Sequence, residues 1–272
     1  MTLPFPVSDP EHLARLHERG VRDQHGLFLV EGVRFVVTAC DTGAAIEAFI
    51  LCPELLSSPL GQMLVRRRRA SGARVIRVSA DVFRRLSILA RPQGVAAVVR
   101  KRWSPLPDPR EVGRDLWLAF EEVRSPGNLG TVMRTAQAAG ARGLMVLGSS
   151  VDPHDPRAVR PTMGAIFRQR LVRCDHRALH RWRERTGCRI VGTSPEAARD
   201  HRTVSYRGPT VLMIGSERRG LSARQLDLCD ELVRIPMTRH IDSLNLAAAA
   251  SVLLYEAYSQ RHPVGRPGRA RR

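Results

Sequence analysis

The sequence predicts an α/β protein built from two domains. Apolar strand-like runs alternate with helical runs along nearly the whole chain, which is the pattern of helices packed on a sheet. The 272 residues suffice for two modest domains, each with its own core. Hydrophobic residues make up 43% of the chain and charged residues 26%, so the composition is that of a globular protein.

The first part of the chain contains four strand-like runs separated by three helical ones. The strand-like runs are GLFLVEG (26–32), IEAFILC (46–52), ARVIRVS (73–79) and QGVAAVVRKR (93–102). The helical runs are VRFVVTACDTG (33–43), PLGQMLVRRRRASG (59–72) and ADVFRRLSIL (80–89). Ser79 is the predicted N-cap of the third helix. Residues 1–102 are therefore predicted to form a small α/β domain.

Residues 103–114 are predicted to be a linker. Pro105, Pro107 and Pro109 fall within this short stretch. Proline supports neither a helix interior nor a central strand. We therefore place the domain boundary here and expect neither element within it.

Residues 115–260 repeat the alternation and are predicted to form the second domain. The strand-like runs are LWLAFEEV (116–123), GLMVLG (143–148), CRIVGTS (188–194), TVLMIG (210–215) and ELVRIP (231–236). The helical runs are SPGNLGTVMRTAQAAG (125–140), RALHRWRERTG (177–187), LSARQLDLC (221–229) and an alanine-rich final helix. Strands that are apolar throughout predict a parallel sheet with helices on both faces. Residues 261–272 lack apolar periodicity and are predicted to be a mobile basic tail.

The charge balance predicts a polyanionic partner. Basic residues outnumber acidic ones 44 to 26, which gives a net charge of +18. Lys101 is the only lysine, and a GC-rich genome explains arginine in place of lysine. Codon bias does not explain the excess over aspartate and glutamate. An excess of this size is typical of nucleic-acid binding.

The five cysteines argue against a zinc site or a disulfide framework. They are odd in number, scattered, and contain no C-x-x-C pair, which suits a reducing cytoplasm. The N-terminus lacks the apolar core of a signal peptide, and no apolar run approaches membrane-spanning length. We therefore expect a soluble cytoplasmic protein without a metal and without a membrane partner.

The first candidate site stretch follows the strand at 116–123. Pro126 and Gly127 predict a turn, Asn128 is a candidate helix cap, and Gly130 allows a ligand to approach the backbone. Arg134 lies one helical turn beyond Gly130. By itself, this stretch is equally compatible with a capped helix that carries one solvated arginine.

Two further stretches also follow predicted strands, where open α/β sheets bind ligands. In VLMIGSERRGLS (211–222), the order of the glycines matches neither the G-x-G-x-x-G fingerprint nor a P-loop. An ordinary strand-to-helix connection would look the same. The other stretch is RIPMTRHIDSLN (234–245), in which Ser243 is a candidate N-cap and His240 has the pattern of a solvated loop histidine. No Ser-His-Asp spacing supports hydrolase chemistry.

Taken together, the three stretches resemble the three signature motifs of the SpoU/TrmH family of RNA ribose 2′-O-methyltransferases. The motifs are N-x-G-x-x-x-R-x-A, G-x-E-x-x-G and I-P-M…S-L-N-x-A-x-A, complete and in order over residues 116 to 258. VEG (30–32) and PQGVAAVV (92–99) also resemble that family's L30e-like substrate-binding domain. RPTMGAIFR (160–168) is similar to a looser fourth segment, but Pro161 and Thr162 replace Ala-Ser, so only a contact from Arg160 is carried over.

The resemblance implies a methyltransferase domain of the SPOUT type, an α/β fold with a deep trefoil knot, which acts as a homodimer. It also implies that S-adenosylmethionine binds in the knot, held largely by main-chain groups. Carried over to this sequence, the cofactor-binding positions are Thr193, Leu212, Gly215, Glu217, Gly220, Ile235, Met237, Leu244 and Leu246.

The resemblance further implies that Arg134 is catalytic and acts on the cofactor of the partner subunit. A guanidinium has a pKa of roughly 12.5 or higher, so we expect Arg134 to stabilise developing alkoxide charge or to grip a neighbouring phosphate, and not to act as a resting-state base. Asn128, Ser243 and Asn245 are expected to orient the ribose and the cofactor carboxylate, and Glu217 to brace its loop.

The predicted function is methylation of a ribose 2′-hydroxyl in structured RNA by S-adenosylmethionine. The front domain favours 23S ribosomal RNA, and the arginine run 66–69 and the tail are expected to contact phosphates. Three alternatives stay open: a tRNA 2′-O-methyltransferase, a non-catalytic rRNA-binding or assembly protein, and an ordinary Rossmann-type methyltransferase. The last lacks a glycine-rich loop after its first strand.

Overall fold

The computed structural model describes residue 6 and residues 9–263. These residues divide into two compact units. The first contains the described residues up to Arg102 together with Asp152–Arg168, and the second contains Trp103–Val151 and the described residues from Gln169 onward. Residues 152–168, which the sequence analysis assigned to the second domain, pack with the first unit, and the predicted domain limits stay a prediction. The domain boundary at residue 102 coincides with a boundary between the units.

The first unit has a four-stranded mixed sheet. Its strands are β1 (Leu27–Glu31), β2 (Ile46–Leu51), β3 (Val75–Arg77) and β4 (Val95–Arg100), in the order β1-β4-β2-β3. Strand β4 pairs antiparallel with both neighbours, whereas β2 and β3 are parallel. The helices before and between the strands are α1 (Pro10–Ala14), α2 (Arg19–His25), α3 (Val33–Asp41), α4 (Pro59–Ala70) and α5 (Ala80–Leu86).

Each of the four strands and three helices predicted for residues 26–102 is present. Ser79 caps α5 as predicted, because its side chain accepts a hydrogen bond from the amide of Val82. Helices α1 and α2 were not predicted. They cover one face of the sheet, where Leu13 and Leu16 join Phe83 in the buried core.

The proline-rich stretch contains a short helix, which corrects the expectation that it holds none. Helix α6 (Pro109–Val112) has Pro109 at its first position, where a backbone N–H would have no helical partner. Asp108 caps this helix by accepting from the amide of Arg110. The prolines therefore exclude a helix interior here but not a helix start.

The second unit has a fully parallel seven-stranded sheet. Its strands, in the order β7-β6-β5-β10-β8-β11-β9, are β5 (Leu116–Phe120), β6 (Gly143–Leu147), β7 (Arg170–Cys174), β8 (Arg189–Thr193), β9 (Arg199–Asp200), β10 (Thr210–Ile214) and β11 (Glu231–Arg234). The principal helices are α7 (Pro126–Ala138), α9 (His176–Thr186), α10 (Ala223–Leu228) and α11 (Leu246–Arg261); α8 (Pro156–Val159) belongs to the first unit.

The parallel sheet confirms the prediction from the apolar strands. Strands β7 and β9 were missed. Arg170 and Arg173 interrupt the apolar run of β7, and β9 has only two residues. The deep trefoil knot implied by the family resemblance stays a prediction.

The last helix is longer than predicted at its carboxyl end. Arg261, assigned to the basic tail, is the final residue of α11, and its guanidinium donates to the carbonyls of Tyr206 and Gly208 at 2.8 and 2.7 Å. The predicted tail beyond Pro263 lies outside the described residues. Within residues 9–263, no helix combines the length and the apolar character that crossing a membrane requires.

Candidate active site

The three motif stretches meet at one edge of the parallel sheet. Strands β5, β10, β8 and β11 are neighbours, and parallel strands place their carboxyl ends at the same edge. The register aligns Ile214 with Phe120, and Val233 with Thr193. The loops that follow these strands therefore converge, and they carry the candidate residues.

Side chains from all three motifs join in one hydrogen-bonded chain. The Nδ2 atom of Asn128 donates to Oε1 of Glu217 at 3.2 Å. The Oδ1 atom of Asn128 accepts from Nδ2 of Asn245, also at 3.2 Å. Asn128 thus connects the second motif to the third, although 89 and 117 residues separate it from its two partners. We call Asn128, Glu217 and Asn245 the motif triad.

Glu217 is held as a carboxylate. Burial acts to raise its pKa, but hydrogen bonds from its own amide, the amide of Arg124 and Asn128 hold the pKa below the ordinary value. The Arg124 amide donates to Oε2 at 3.2 Å, so both carboxylate oxygens accept hydrogen bonds. This geometry agrees with the expectation that Glu217 braces its loop.

The loop that carries Glu217 is closed on itself. Ser216 and Gly220 exchange two backbone hydrogen bonds, of 2.8 and 3.1 Å. A Cβ atom on Gly215 would lie 2.3 Å from the carbonyl carbon of Gly220 and 2.5 Å from the amide nitrogen of Leu221. Gly220 has a φ of 64°, in the left-handed region. The loop therefore requires glycine at both positions.

The N-caps differ from those that the sequence suggested. Ser125, and not Asn128, caps α7, because its Oγ accepts from the Asn128 amide. Asn245, and not Ser243, caps α11: its Oδ1 accepts from the amides of Ala247 and Ala248 at 2.9 and 3.4 Å. Asn245 therefore acts at both of its side-chain atoms, as a cap through oxygen and as a partner of Asn128 through nitrogen.

Alanine residues allow α11 to pack closely on α7. Ala250 is fully buried, and the hydroxyl of the next residue, Ser251, lies 3.4 Å from that of Thr135 on α7. This packing fixes Asn245 relative to Asn128, because each side chain sits in the first turn or at the cap of one of the two helices.

Arg134 and Ser243 stand apart from the motif triad. Both side chains are exposed, and within residues 9–263 neither forms a hydrogen bond with a member of the triad. Arg134 projects from α7, whereas Ser243 lies two residues before the cap of α11. Arg160, the residue carried over from the fourth segment, belongs to the first unit.

The cofactor positions combine backbone groups at the edge with apolar side chains. Thr193 ends β8, and Gly215 directly follows β10. Leu212 is fully buried within β10, so it packs beneath the edge. Ile235, Met237 and Leu244 are partly or fully exposed, whereas Leu246 is buried.

These residues fit S-adenosylmethionine. Leu244 is 37% exposed and Ile241 in the same loop is 52% exposed, so apolar surface is open at this edge. Such surface suits an adenine ring and a methionine chain. The ionised Glu217 places a negative charge at the same edge, which suits a cationic ligand.

The sequence did not single out two acidic residues that directly follow β5. Glu121 Oε2 accepts from the hydroxyl of Ser222 at 2.5 Å, which connects β5 to the N-cap of α10. Glu122 forms an ion pair of 3.2 Å with Arg219 in the Glu217 loop. The sequence feature that could have identified them is a pair of consecutive acidic residues directly after a wholly apolar strand.

Burial suppresses the ionisation of three cysteines in the described part of the chain. All five cysteines are free, and burial raises the pKa of Cys174, Cys188 and Cys229 to about 12. These three thiols are therefore protonated at neutral pH. Among residues 9–263, no cluster of three or more His, Cys, Asp or Glu side chains could hold a metal ion.

Comparison with curated proteins identifies relatives along most of the chain. The 23S rRNA (uridine(2479)-2'-O)-methyltransferase of Streptomyces viridochromogenes is 35% identical over 256 residues, which cover 91% of this chain and 88% of the relative.

Two solved structures are similar over nearly their whole length. The AdoMet-bound rRNA methyltransferase from Sinorhizobium meliloti has a TM-score of 0.82 and 32% identity, and the match covers 94% of this chain and 95% of that one. The SpoU methyltransferase AviRb from Streptomyces viridochromogenes, in complex with AdoMet, has a TM-score of 0.81 and 32% identity, with 93% and 97% covered.

Family comparison matches both parts of the chain. Residues 11–97 match the MRM3-like substrate binding domain, and residues 115–255 match the SpoU rRNA Methylase family. The second match alone covers more than half of the 272 residues and contains all three motifs. The resemblance seen in the motifs is thereby confirmed: the chain belongs to the SpoU rRNA methylase family.

Proposed function

We propose that this chain transfers the methyl group of S-adenosylmethionine to a ribose 2′-hydroxyl of structured RNA, with 23S ribosomal RNA as the substrate. The observation that carries the proposal is the motif triad, which unites the three motifs at the ligand-binding edge of the sheet. Family membership and the AdoMet-bound neighbours support the methyl donor. The MRM3-like domain supports a large RNA as the acceptor.

When bound, the cofactor supplies a methyl group on a positively charged sulfur. The ribose hydroxyl is a poor nucleophile and must lose its proton as the new O–C bond forms. Asn128 and Asn245 are fixed by each other and by Glu217, so they are suited to orient the ribose and the cofactor carboxylate. Ser243, which is exposed and precedes Asn245 by two residues, is assigned the same role.

Arg134 is assigned to the negative charge that develops on the attacking oxygen. Its exposure leaves the guanidinium free to reach an RNA strand or the site of a second subunit. A preorganised cation in such a place contributes on the order of several kcal/mol to the rate. Arg134→Lys tests the need for a planar, bidentate group, and near-full turnover of that variant would contradict this assignment.

We assign the chain to a homodimer in which Arg134 of one subunit acts on the cofactor of the other. Helix α11 supports this assembly, because Val252, Tyr255 and Tyr258 leave an exposed apolar stripe along it. An isolated apolar stripe of this kind is typical of a subunit interface. Tyr255→Arg is expected to yield monomers in analytical ultracentrifugation and to abolish methyl transfer. A Tyr255→Arg protein that remained dimeric would place the interface elsewhere.

The arginine run supports RNA binding by the first unit. Arg66, Arg67 and Arg69 are exposed on α4, beside the exposed Met63. We assign this face to RNA phosphates, which a protein contacts through exposed cations. The free cysteines and the RNA substrate together favour the cytoplasm as the location.

The decisive experiment incubates the protein with labelled S-adenosylmethionine and deproteinised 23S rRNA, 16S rRNA or bulk tRNA. We expect label in 23S rRNA at one ribose, located by reverse-transcription stops at low nucleotide concentration. Label in tRNA alone would mean that tRNA, and not 23S rRNA, is the substrate. Absence of label from every RNA, together with no cofactor binding in calorimetry, would support a non-catalytic rRNA-binding protein instead.

A further inference from the structure

Helix α9 in the second unit carries a regular line of arginines. Arg177, Arg181 and Arg185 recur every four residues, and all three are exposed. Residues at this spacing share one face of a helix and follow one another at a rise of about 6 Å. We call these three residues the α9 ladder.

The α9 ladder is not neutralised by the protein. Among residues 9–263, none of its three members forms an ion pair with a carboxylate. Other exposed arginines of this unit do have partners: Arg142 pairs with Asp115, Arg199 with Glu231 and Arg202 with Asp200. Like charges at i, i+4 destabilise a helix, so the ladder weakens α9 in the free protein.

An open cleft lies beside the end of the ladder. Its volume is about 500 Å³, which is the size of a site for one small organic group such as a nucleotide. The apolar part consists of prolines 105, 107 and 109 with Leu106, Ala178 and Trp182. The indole N–H of Trp182 donates to the Pro107 carbonyl at 2.9 Å and so fixes the proline-rich stretch against α9.

Charged side chains surround the cleft unevenly. Arg181 and Arg185 of the ladder line it, and so does Arg170. Two acids also line it, but both are engaged: Asp108 caps α6, and Glu111 pairs with Arg170 at 3.3 Å. The three arginines outnumber the two acids, so the charged side chains that line the cleft carry a net charge of +1.

The ladder runs along the strand direction, from the carboxyl ends of the strands toward their amino ends. Helix α9 starts after the carboxyl end of β7 and finishes before the amino end of β8. At its start, His176 lies 3.4 Å from Glu121, at the edge that carries the motif triad. Near the carboxyl end of α9, the cleft is lined by Arg170, the first residue of β7. The positive charges thus lead from the candidate active edge to the opposite edge.

We propose that the α9 ladder and the cleft form a docking track for an RNA strand. The three guanidinium groups bind successive phosphates, and the cleft accepts one nucleotide against its proline and tryptophan surface. The track lies outside the three motifs, and it rests on the proposed function in so far as RNA is the substrate. It would hold RNA at a distance from the methylated ribose.

The test compares two triple variants that remove the same charge. The ladder variant is R177Q/R181Q/R185Q, and the matched control is R142Q/R199Q/R202Q, whose arginines are exposed and paired. Binding to deproteinised 23S rRNA is measured over a range of salt concentrations. We expect the slope of log K against log[salt] to fall by about 2 for the ladder variant and by much less for the control.

A separate variant tests the cleft without changing the charge of the protein. Ala178→Leu places a larger side chain into the cleft and is expected to weaken RNA binding several-fold without altering the salt slope. Circular dichroism and cofactor calorimetry on every variant verify that the fold and the cofactor site are intact.

The outcomes separate the track from the proposed function. Equal salt slopes for the two triple variants, with methyl transfer retained, would overturn the track and leave the enzyme assignment standing. A selective loss of RNA binding by the ladder variant would support the track even if the unaltered protein transferred no methyl group to any RNA. An Ala178→Leu protein with unchanged affinity would remove the cleft from the proposal.

Discussion

At the scale of one residue, Asn128 uses both polar atoms of its side-chain amide. Its nitrogen donates to Glu217 and its oxygen accepts from Asn245. An aspartate offers no donor and a leucine offers neither group, so no residue of similar shape makes both contacts. The sequence identified these residues as candidates, but not as partners, because 117 residues separate Asn128 from Asn245.

Substitutions can separate the two roles of Asn245, the cap of α11 and the hydrogen bond to Asn128. Asn245→Asp retains an oxygen that caps α11 but loses the donor to Asn128. We expect its unfolding free energy to stay near that of the unaltered protein, while methyl transfer falls by on the order of 100-fold through misplacement of the site. Asn245→Ala should additionally lose about 1 kcal/mol of stability. Full turnover by Asn245→Asp in the label-transfer assay would mean that capping is its whole role.

Glu217 makes stability depend on pH. Its pKa in the folded protein lies below the ordinary value of 4.5, so the carboxylate stabilises the fold above that pH, and the contribution is lost as pH falls through the folded pKa. Glu217→Gln should therefore reduce stability at about pH 7 more than at about pH 4. Urea unfolding at both pH values measures this, and an equal loss at the two would show that ionisation is unimportant.

At the scale of elements, the loop after β10 is determined by two glycines. The backbone of Gly220 and Leu221 occupies the space in which a side chain at Gly215 would stand. The sequence showed that the loop is glycine-rich, but it did not show that the chain returns onto itself. The loop's closure positions Glu217 next to Asn128.

Gly215→Ala tests this closure against a matched glycine. The added Cβ meets backbone atoms at 2.3 and 2.5 Å, so the loop must open, and we expect a loss of about 1–3 kcal/mol together with loss of cofactor binding. Gly208→Ala is the control, because nothing lies within 4 Å of a Cβ there. Thermal unfolding and calorimetry with S-adenosylmethionine measure both effects. Equal behaviour of the two variants would contradict the steric argument.

Apolar patterns predicted most strands and helices, and the exceptions have local causes. Strand β7 carries two arginines within five residues, so its alternation does not resemble a buried strand. It is nevertheless a strand, because its backbone pairs with β6 on one side and Val172 also forms an isolated bridge with Ser104. Helix α6 begins at a proline, which is compatible with a first helical turn.

At the scale of the whole molecule, residues 152–168 belong to the first unit although the sequence on both sides of them belongs to the second. Arg22 is 1% exposed and its Nη2 donates to Asp152 at 2.6 Å. Its other terminal nitrogen donates to the carbonyls of Leu16 and His17. Asp155 lies 3.8 Å from the same guanidinium, so two acids of a segment within the methylase match pair with this buried arginine of the first unit.

Removal of Arg22 should destabilise the first unit strongly. Arg22→Met leaves the Asp152 carboxylate and two carbonyls without their donor, at a cost of about 3–5 kcal/mol. Arg84→Met is the control, since its pair with Asp81 is exposed and is worth less than about 1 kcal/mol. Thermal unfolding should show a much larger shift for Arg22→Met. Adding Asp152→Asn should recover part of that loss, and no recovery would mean that the ion pair is not its source.

The sequence by itself determined the α/β class, the parallel sheet, the three motifs and, through them, the family. Those features depend on residue type and local spacing, which apolar periodicity and short motifs preserve. Only the tertiary structure decided that Asn128, Glu217 and Asn245 touch, that Ser125 and Asn245 are the caps, and that residues 152–168 pack with the first unit. The reason is that contacts between distant residues arise from sheet order and helix packing, which no local stretch of sequence records.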